Sequence, residues 1–495
     1  MIVKTNHGVV EGFREGKLWR FLGIPYGKAE RFGAPREYDW KGVWKAGRYG
    51  KKSIQKGKEP EDGGQDQDEM GEDCLNLNIW VPMGENETSM EGLPVAVYIH
   101  GGAFQDGSNR ERRAERVIGN HSFIFVSINY RLGALGYLYL GEALGEDYRH
   151  TGNNGTLDQL LALKWIYENI ENFGGDSHRI TLFGESAGAK AIGALMLRPE
   201  LKKWCSAAML ASGGYQCIRD AHTASQIAES FYEEAHRRGF LEKREEILTM
   251  DADQLMAIQR GLVDNPGNTC MFGPVADGEV IPFDWQERIR RGEYWSGNVI
   301  VGSCLHEMIF LRMQHTDLAS EAWEIAGCLF GENGKIALEA FQEYETEAAK
   351  QGKELSREEA ADKWVEIFSD YMYRMYSHRL AELLTDTGSR VWYYSFEYGA
   401  SAHVLDQSMA FDDAAQDDFF FPGIPLESRE KVSALLHESY ARFLETGSPE
   451  WDGIPEWKPL CEKRKRMIWK ETPVVADLET ETVLDGFPDS VYRLI

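Results

Sequence analysis

No run of about eighteen apolar residues occurs anywhere in this chain, so the sequence offers no membrane-spanning helix. Its first residues, Met1-Ile2-Val3-Lys4-Thr5-Asn6-His7-Gly8, lack a basic stretch followed by an apolar one, and the expectation is a soluble protein that is not exported. Cysteine is scarce: Cys74, Cys205, Cys217, Cys270, Cys304, Cys328 and Cys461 are odd in number, scattered, and form no C-x-x-C pair. That usage argues against a disulfide framework or a thiolate zinc site and fits reduced thiols in a cytoplasm. No H-E-x-x-H occurs and the 12 histidines fall at no ligand spacing, so neither a metal nor another cofactor is expected. Basic residues are outnumbered, 54 against 80 acidic, and the net charge of −26 repels nucleic acid and anionic membranes alike. Linkers rich in Pro and Ser and internal repeats are absent too, so residues 1–495 are expected to form one domain with insertions.

What the chain does contain is core-forming material, 43% hydrophobic and 12% aromatic, ordinary for a globular protein that buries a full core. The most informative stretch is 179–189. An apolar run at 180–183 leads into Gly184-Glu185-Ser186-Ala187-Gly188 and then into helix-forming residues as far as 197. A turn of this kind is crowded, so the positions two before and two after the serine must lack a bulky Cβ, and the serine hydroxyl is left standing at the sheet edge. Ser186 is therefore the candidate nucleophile. A lone G-x-S-x-G also marks ordinary Ser-Gly turns; the passage from strand through turn to helix favours the nucleophile.

Alternating or Val/Ile-rich segments predict strands at 72–80, 93–100, 123–130, 179–183, 205–210, 298–302, 391–398 and around 467–469. The nearly continuous apolar run at 123–130 suggests a buried central position. Helical spacing of Leu160, Leu161, Leu163, Ile166 and Ile170 predicts a helix over 158–172, and a further amphipathic helix is expected at 430–444. Strand and helix alternate, which gives an α/β fold with a large, mostly parallel central sheet. Two stretches differ: 216–268 and 311–388 carry long charged helical segments, such as 243–260 and 357–384, and read as excursions covering the catalytic edge of the sheet.

A serine hydroxyl needs a histidine base and an acid that fixes the histidine tautomer, and in an α/β chain these must sit on loops following strands. After the strand at 298–302 come Ser303-Cys304-Leu305-His306-Glu307; after that at 391–398 come Gly399-Ala400-Ser401-Ala402-His403. The order Ser, acid, His assigns Glu307 and His403. His306 adjoins Glu307, but neighbours point to different sides, so it reads as a loop residue. Asp277, in Pro274-Val275-Ala276-Asp277-Gly278, reads as a turn residue, and Asp406 is a rival for the acid. Upstream, His100-Gly101-Gly102-Ala103-Phe104 follows a strand with small residues whose N–H groups can face a cleft, the arrangement an oxyanion hole requires; a plain glycine turn is the alternative.

These pieces together resemble the type-B carboxylesterases, the α/β-hydrolases that include bacterial para-nitrobenzyl esterases and animal cholinesterases. The resemblance rests on Gly23-Ile24-Pro25-Tyr26, Glu30-Arg31-Phe32, Glu72-Asp73-Cys74-Leu75-Asn76-Leu77-Asn78, the glycine stretch after His100, Asn129-Tyr130-Arg131, Leu157-Asp158-Gln159, Phe173-Gly174-Gly175-Asp176 and the Ser186 turn. It implies an α/β-hydrolase fold, a Ser186, Glu307, His403 triad, and an oxyanion hole from the N–H groups of Gly102, Ala103 and Ala187. It further implies structural ion pairs of Arg31 with Glu72 and of Arg131 with Asp176. Met308 stands where the family usually has Gly after the acid, and Cys74 has no upstream cysteine partner. The loop before Glu72 lacks the tryptophan with which cholinesterases hold a quaternary ammonium, which argues against a cholinesterase.

The expected function is a serine carboxylesterase acting through an acyl-enzyme on small neutral esters, with no nucleic acid, membrane or cofactor as partner. Its alternatives are an amidase or carbamate hydrolase on the same triad, and a non-enzymatic binding protein, which the intact Ser186, Glu307 and His403 set disfavours. The acidic loop 59–73 either disfavours anionic substrates at a pocket mouth or is simply solvated.

Overall fold

The structure, a computed structural model, describes residues 1–56, 69–84, 91–263 and 271–478. Its centre is an eleven-stranded sheet. In chain order the strands are β1 (Phe13–Glu15), β2 (Leu18–Pro25), β3 (Asn76–Pro82), β4 (Leu93–Ile99), β5 (Ile124–Ile128), β6 (Gly175–Glu185), β7 (Ala207–Ala211), β8 (Asn298–Cys304), β9 (Arg390–Phe396), β10 (Lys465–Trp469) and β11 (Val474–Asp477). Across the sheet they run β11-β10-β9-β8-β7-β6-β4-β5-β3-β2-β1. From β5 through β10 every neighbouring pair is parallel, while the outer pairs are antiparallel. The mostly parallel sheet expected from the alternation is present.

Side-chain alternation sends the apolar residues of the central strands to both faces. Val95, Val97 and Ile99 join Ile124, Val126 and Ile128 on one face, where α1 (Asn154–Asn169) contributes Leu160, Leu163 and Ile166. Ala96, Tyr98 and Phe125 lie on the other, under a long helix at Leu426–Thr446 that buries Val432, Leu436, Tyr440, Phe443 and Leu444. Burial on both faces is why the β4 and β5 runs read as continuously apolar.

The strand order also fixes where a site can be. From β4 the chain moves outward to β5, then returns across β4 through α1 to β6, so a crevice opens between β4 and β6 at their C-terminal ends. The residues leaving those ends are His100 to Phe104 and Ser186, the latter opening α2 (Ala187–Leu195).

Over their described residues both excursions are mainly helical, with refinements. The segment expected as one helix at 243–260 is a short 3₁₀ turn at Arg244–Leu248 followed by α3 (Ala252–Val263). The segment at 357–384 runs as α4 (Arg357–Ser369), a π turn at Asp370–Arg374 and α5 (Met375–Asp386). The strand expected from residue 72 begins only at Asn76.

One ion pair differs from expectation. Arg31 does meet Glu72, but Arg131 pairs with Asp158, not Asp176. The Arg131 Nε donates to Asp158 Oδ2 at 2.8 Å and Nη2 to Oδ1 at 2.7 Å, with the carboxylate wholly buried on α1. Asp176 instead accepts the backbone N–H of His178 at 2.9 Å, folding back on its own chain. A third ion group, buried beneath the Ser186 turn, links Arg112 to both Glu185 and Asp412.

Candidate active site

The turn at Ser186 explains its glycines geometrically. A Cβ on Gly184 would stand 2.6 Å from the carbonyl oxygen of Ile99, and one on Gly188 only 2.0 Å from that same atom. Neither position tolerates a side chain while α2 packs this closely against β4. Ser186 itself has φ 54° and ψ −122°, a conformation L residues rarely hold, and its N–H donates to Ala211 O at 2.9 Å. Buried residues flank it on either side, yet Ser186 remains partly accessible.

The glycine stretch after β4 is equally constrained. Gly102, Ala103 and Phe104 all have positive φ, at 93°, 51° and 60°, and Gly102 O accepts the N–H groups of Gln105 and Asp106. That reversal keeps the backbone beside the serine: a Cβ on Gly101 would lie 3.5 Å from the Ser186 Cβ. Among the described residues, no backbone carbonyl takes the N–H groups of Gly102, Ala103 or Ala187.

Glu307 and His403 leave the ends of β8 and β9, and the structure brings them together. His403 Nδ1 hydrogen-bonds Glu307 Oε2; the carboxylate is completely buried and the imidazole 21% exposed. Glu307 Oε1 accepts the Ser212 hydroxyl at 2.6 Å and the Cys304 N–H at 2.7 Å. These donors compensate a carboxylate that burial alone would penalise. The two loops are stitched by Leu305 N to Ser401 Oγ at 2.8 Å, His306 N to Ser401 O at 3.0 Å, and Ser401 Oγ to Phe396 O. Ser212, which ties β7 to this pair, was not singled out from sequence; its place just after a strand was the available signal.

The rival residues lie elsewhere in the network. His306 turns its Nδ1 to Ala400 O at 3.3 Å, away from Glu307. Asp277 accepts the N–H groups of Glu279, Val280 and Ile281 and the side-chain amide of Asn153, which is turn work. Asp406 takes the Tyr394 hydroxyl and the Cys304 thiol, and its burial raises its pKa above the usual carboxylate value, with the Glu307 charge acting in the same direction. Burial likewise pushes the Cys304 thiol well up, so it stays protonated beside these acids.

Beneath the turn, the Tyr98 hydroxyl donates to Glu185 Oε1 at 2.5 Å, and the Arg112 guanidinium lies 3.1 Å from that oxygen. Burial works against the Arg112 charge, but Glu185, Tyr98 and Asp412 outweigh it and raise its pKa well above normal. The residue preceding the serine is thus anchored by charge.

No group of three or more His, Cys, Asp or Glu among the described residues is disposed to hold a metal, and no helix among them is long and apolar enough to cross a membrane. The acidic loop 59–73 falls mostly outside the described residues.

Comparison with known proteins places the whole chain in a family. A family model described as the carboxylesterase family matches residues 1–482. The para-nitrobenzyl esterase of Bacillus subtilis (strain 168) is 27% identical, over 99% of this chain and 97% of its own length. Among solved structures, a carboxylesterase of Geobacillus stearothermophilus superposes with a TM-score of 0.82 at 28% identity, covering 98% of this chain and all of its own. A thermophilic PNB esterase superposes with a TM-score of 0.77 at 25% identity, covering 96% of this chain and 97% of its own.

Proposed function

Because this chain belongs to the carboxylesterase family and is a carboxylic ester hydrolase of small-molecule substrates, we propose that Ser186 is its nucleophile, His403 its base and Glu307 the acid that orients the base. The observation that carries this reading is the Glu307 to His403 hydrogen bond, tied through Ser212 to the strand end whose Ala211 carbonyl receives the Ser186 N–H.

In this reading His403 Nε2 takes the Ser186 proton, and the alkoxide adds to the ester carbonyl. The N–H groups of Gly102, Ala103 and Ala187 receive the negative oxygen that forms, and their lack of a backbone acceptor among the described residues supports that role. The imidazolium then protonates the leaving alcohol, water attacks the acyl-enzyme by the same route, and Ser186 is restored. Glu307 stabilises the imidazolium and holds Nδ1 protonated so that Nε2 faces the serine. Cysteines that form no disulfide among the described residues support a cytoplasmic location, and the charge of −26 supports the absence of a nucleic-acid partner.

The test is hydrolysis of para-nitrophenyl esters of increasing acyl length, with Ser186→Ala alongside and a matched anilide for the amidase alternative. Turnover of the esters that disappears in the variant is expected; a variant that keeps esterase activity overturns the assignment of Ser186.

A further inference from the structure

A cleft of about 250 Å³ opens between α5 and a short helix at Trp285–Arg290. That is room for one small ligand, just below the roughly 300–1,000 Å³ of drug-sized sites. Its apolar walls are Trp285, Ile289, Tyr215 and Leu383, and the Tyr215 and Trp285 rings lie 5.7 Å apart. The charges on its rim are unevenly matched. Arg290 is held by Glu287 and Glu382 by Arg464, while Arg379 is engaged as well. Asp386 and Gln286 differ from these: neither side chain makes a hydrogen bond or ion pair with the described residues. Asp386 is also the last residue of α5, where the carbonyl end of the helix favours a cation and disfavours a carboxylate. An acid placed there with no cation bonded to it is a site short of its counter-ion.

The cleft also touches the chain that holds the candidate catalytic groups. Tyr215 closes the loop leaving β7, in which the Ser212 hydroxyl bonds Glu307. A Cβ on Gly213 would stand 2.7 Å from Ser186 O, and one on Gly214 3.2 Å from Leu380 Cδ2 of α5. The wall formed by Tyr215 is thus continuous with the loop packed behind the serine.

We propose that this cleft is a second binding site, for a small aromatic amine in its ammonium form. The ring lies against Trp285, Ile289 and Leu383, and the ammonium donates to the Asp386 carboxylate and the Gln286 side-chain carbonyl. A carboxylate of the same shape would meet the charge of Asp386, and an alcohol would give up the charge-assisted bond. The net charge of −26 draws cations toward the protein without choosing a place. The cleft chooses one, by joining an uncommitted acid to an aromatic wall.

The experiment is calorimetric titration of the protein with 2-phenylethylamine at neutral pH and fixed ionic strength, beside 2-phenylethanol and 3-phenylpropionate. For so small a ligand the amine is expected to bind with a Kd on the order of 1 mM. The alcohol is expected to bind about threefold more weakly or worse, and the carboxylate not measurably. Asp386→Asn is expected to weaken the amine by about threefold or more and to leave the alcohol unchanged. Removing one of 80 acidic residues barely alters the general attraction for cations, so this loss reports on the cleft. Trp285→Leu is expected to weaken amine and alcohol together, and Leu383→Ala serves in its place if that variant does not fold. Amine binding that Asp386→Asn leaves intact, equal binding of the three probes, or no binding overturns the inference. None of these readings uses turnover, so this inference and the esterase reading stand or fall separately.

Discussion

Nδ1 of His403 faces Oε2 of Glu307, while the other oxygen of the same carboxylate receives the Ser212 hydroxyl at 2.6 Å. The acid therefore cannot rotate away from the imidazole without giving up a second bond. Glu307→Gln keeps the shape but can present its amide to Nδ1, which stabilises the wrong tautomer. A fall in kcat on the order of 10³–10⁴ is expected, with KM little changed. Steady-state kinetics on a para-nitrophenyl ester checks it, and a fall below tenfold would remove Glu307 from its role.

Ser212→Ala asks a gentler question of the same carboxylate. Glu307 would keep the Cys304 N–H and His403 but lose one donor in a buried place. A loss of about 1–3 kcal/mol of folding stability is expected, with a smaller fall in kcat than for Glu307→Gln. Urea titration alongside kinetics separates the two effects.

Gly188→Ala tests the packing that shapes the turn. The new Cβ would stand 2.0 Å from Ile99 O, which belongs to a central strand and cannot move aside. A cost of about 1–3 kcal/mol or more is expected, with loss of esterase activity even in the folded fraction. Retained activity would mean that α2 does not sit this close to β4.

Asp158→Ala would leave the Arg131 guanidinium buried without its carboxylate, at a cost of roughly 3–5 kcal/mol. Asp176→Ala, by contrast, removes only a partly exposed local turn bond and is expected to cost far less. Thermal or urea denaturation of the two variants ranks them directly.

Asp406 supplies a pH-dependent test. Burial raises its pKa in the folded state above the ordinary 3.8, with the Tyr394 hydroxyl opposing and Glu307 adding to the rise. The folded protein therefore binds this proton more tightly than the unfolded chain does. The contribution is fully present below the ordinary carboxylate value and is lost as pH rises through the folded one. Asp406→Asn cannot ionise, so the stability of the wild type relative to this variant should decline from acid toward neutral pH. Urea midpoints across that range measure it; a difference that grows with pH would contradict the assignment.

Much of this architecture could be read from sequence because it is local. The parallel strands announce themselves as Val- and Ile-rich runs, and in such a sheet the loops after them converge, which is why Glu307 and His403 were nameable before their contact was seen. Arg131 shows the limit. Two acids, Asp158 and Asp176, follow it in motifs of equal standing, and the choice depends on how α1 is rotated against the sheet, which no spacing reports.

The backbone of Ser186, at φ 54°, sets durability and turnover against each other at one residue. Holding a non-glycine residue in such a conformation costs on the order of 1–3 kcal/mol, met by the packing of α2 on β4. Glycine at this position would relax the chain and remove the hydroxyl together. Ser186→Gly is thus expected to resist heat better than the native chain and, if Ser186 is the nucleophile as proposed, to be inert, so at this position selection for heat resistance alone would work against the enzyme.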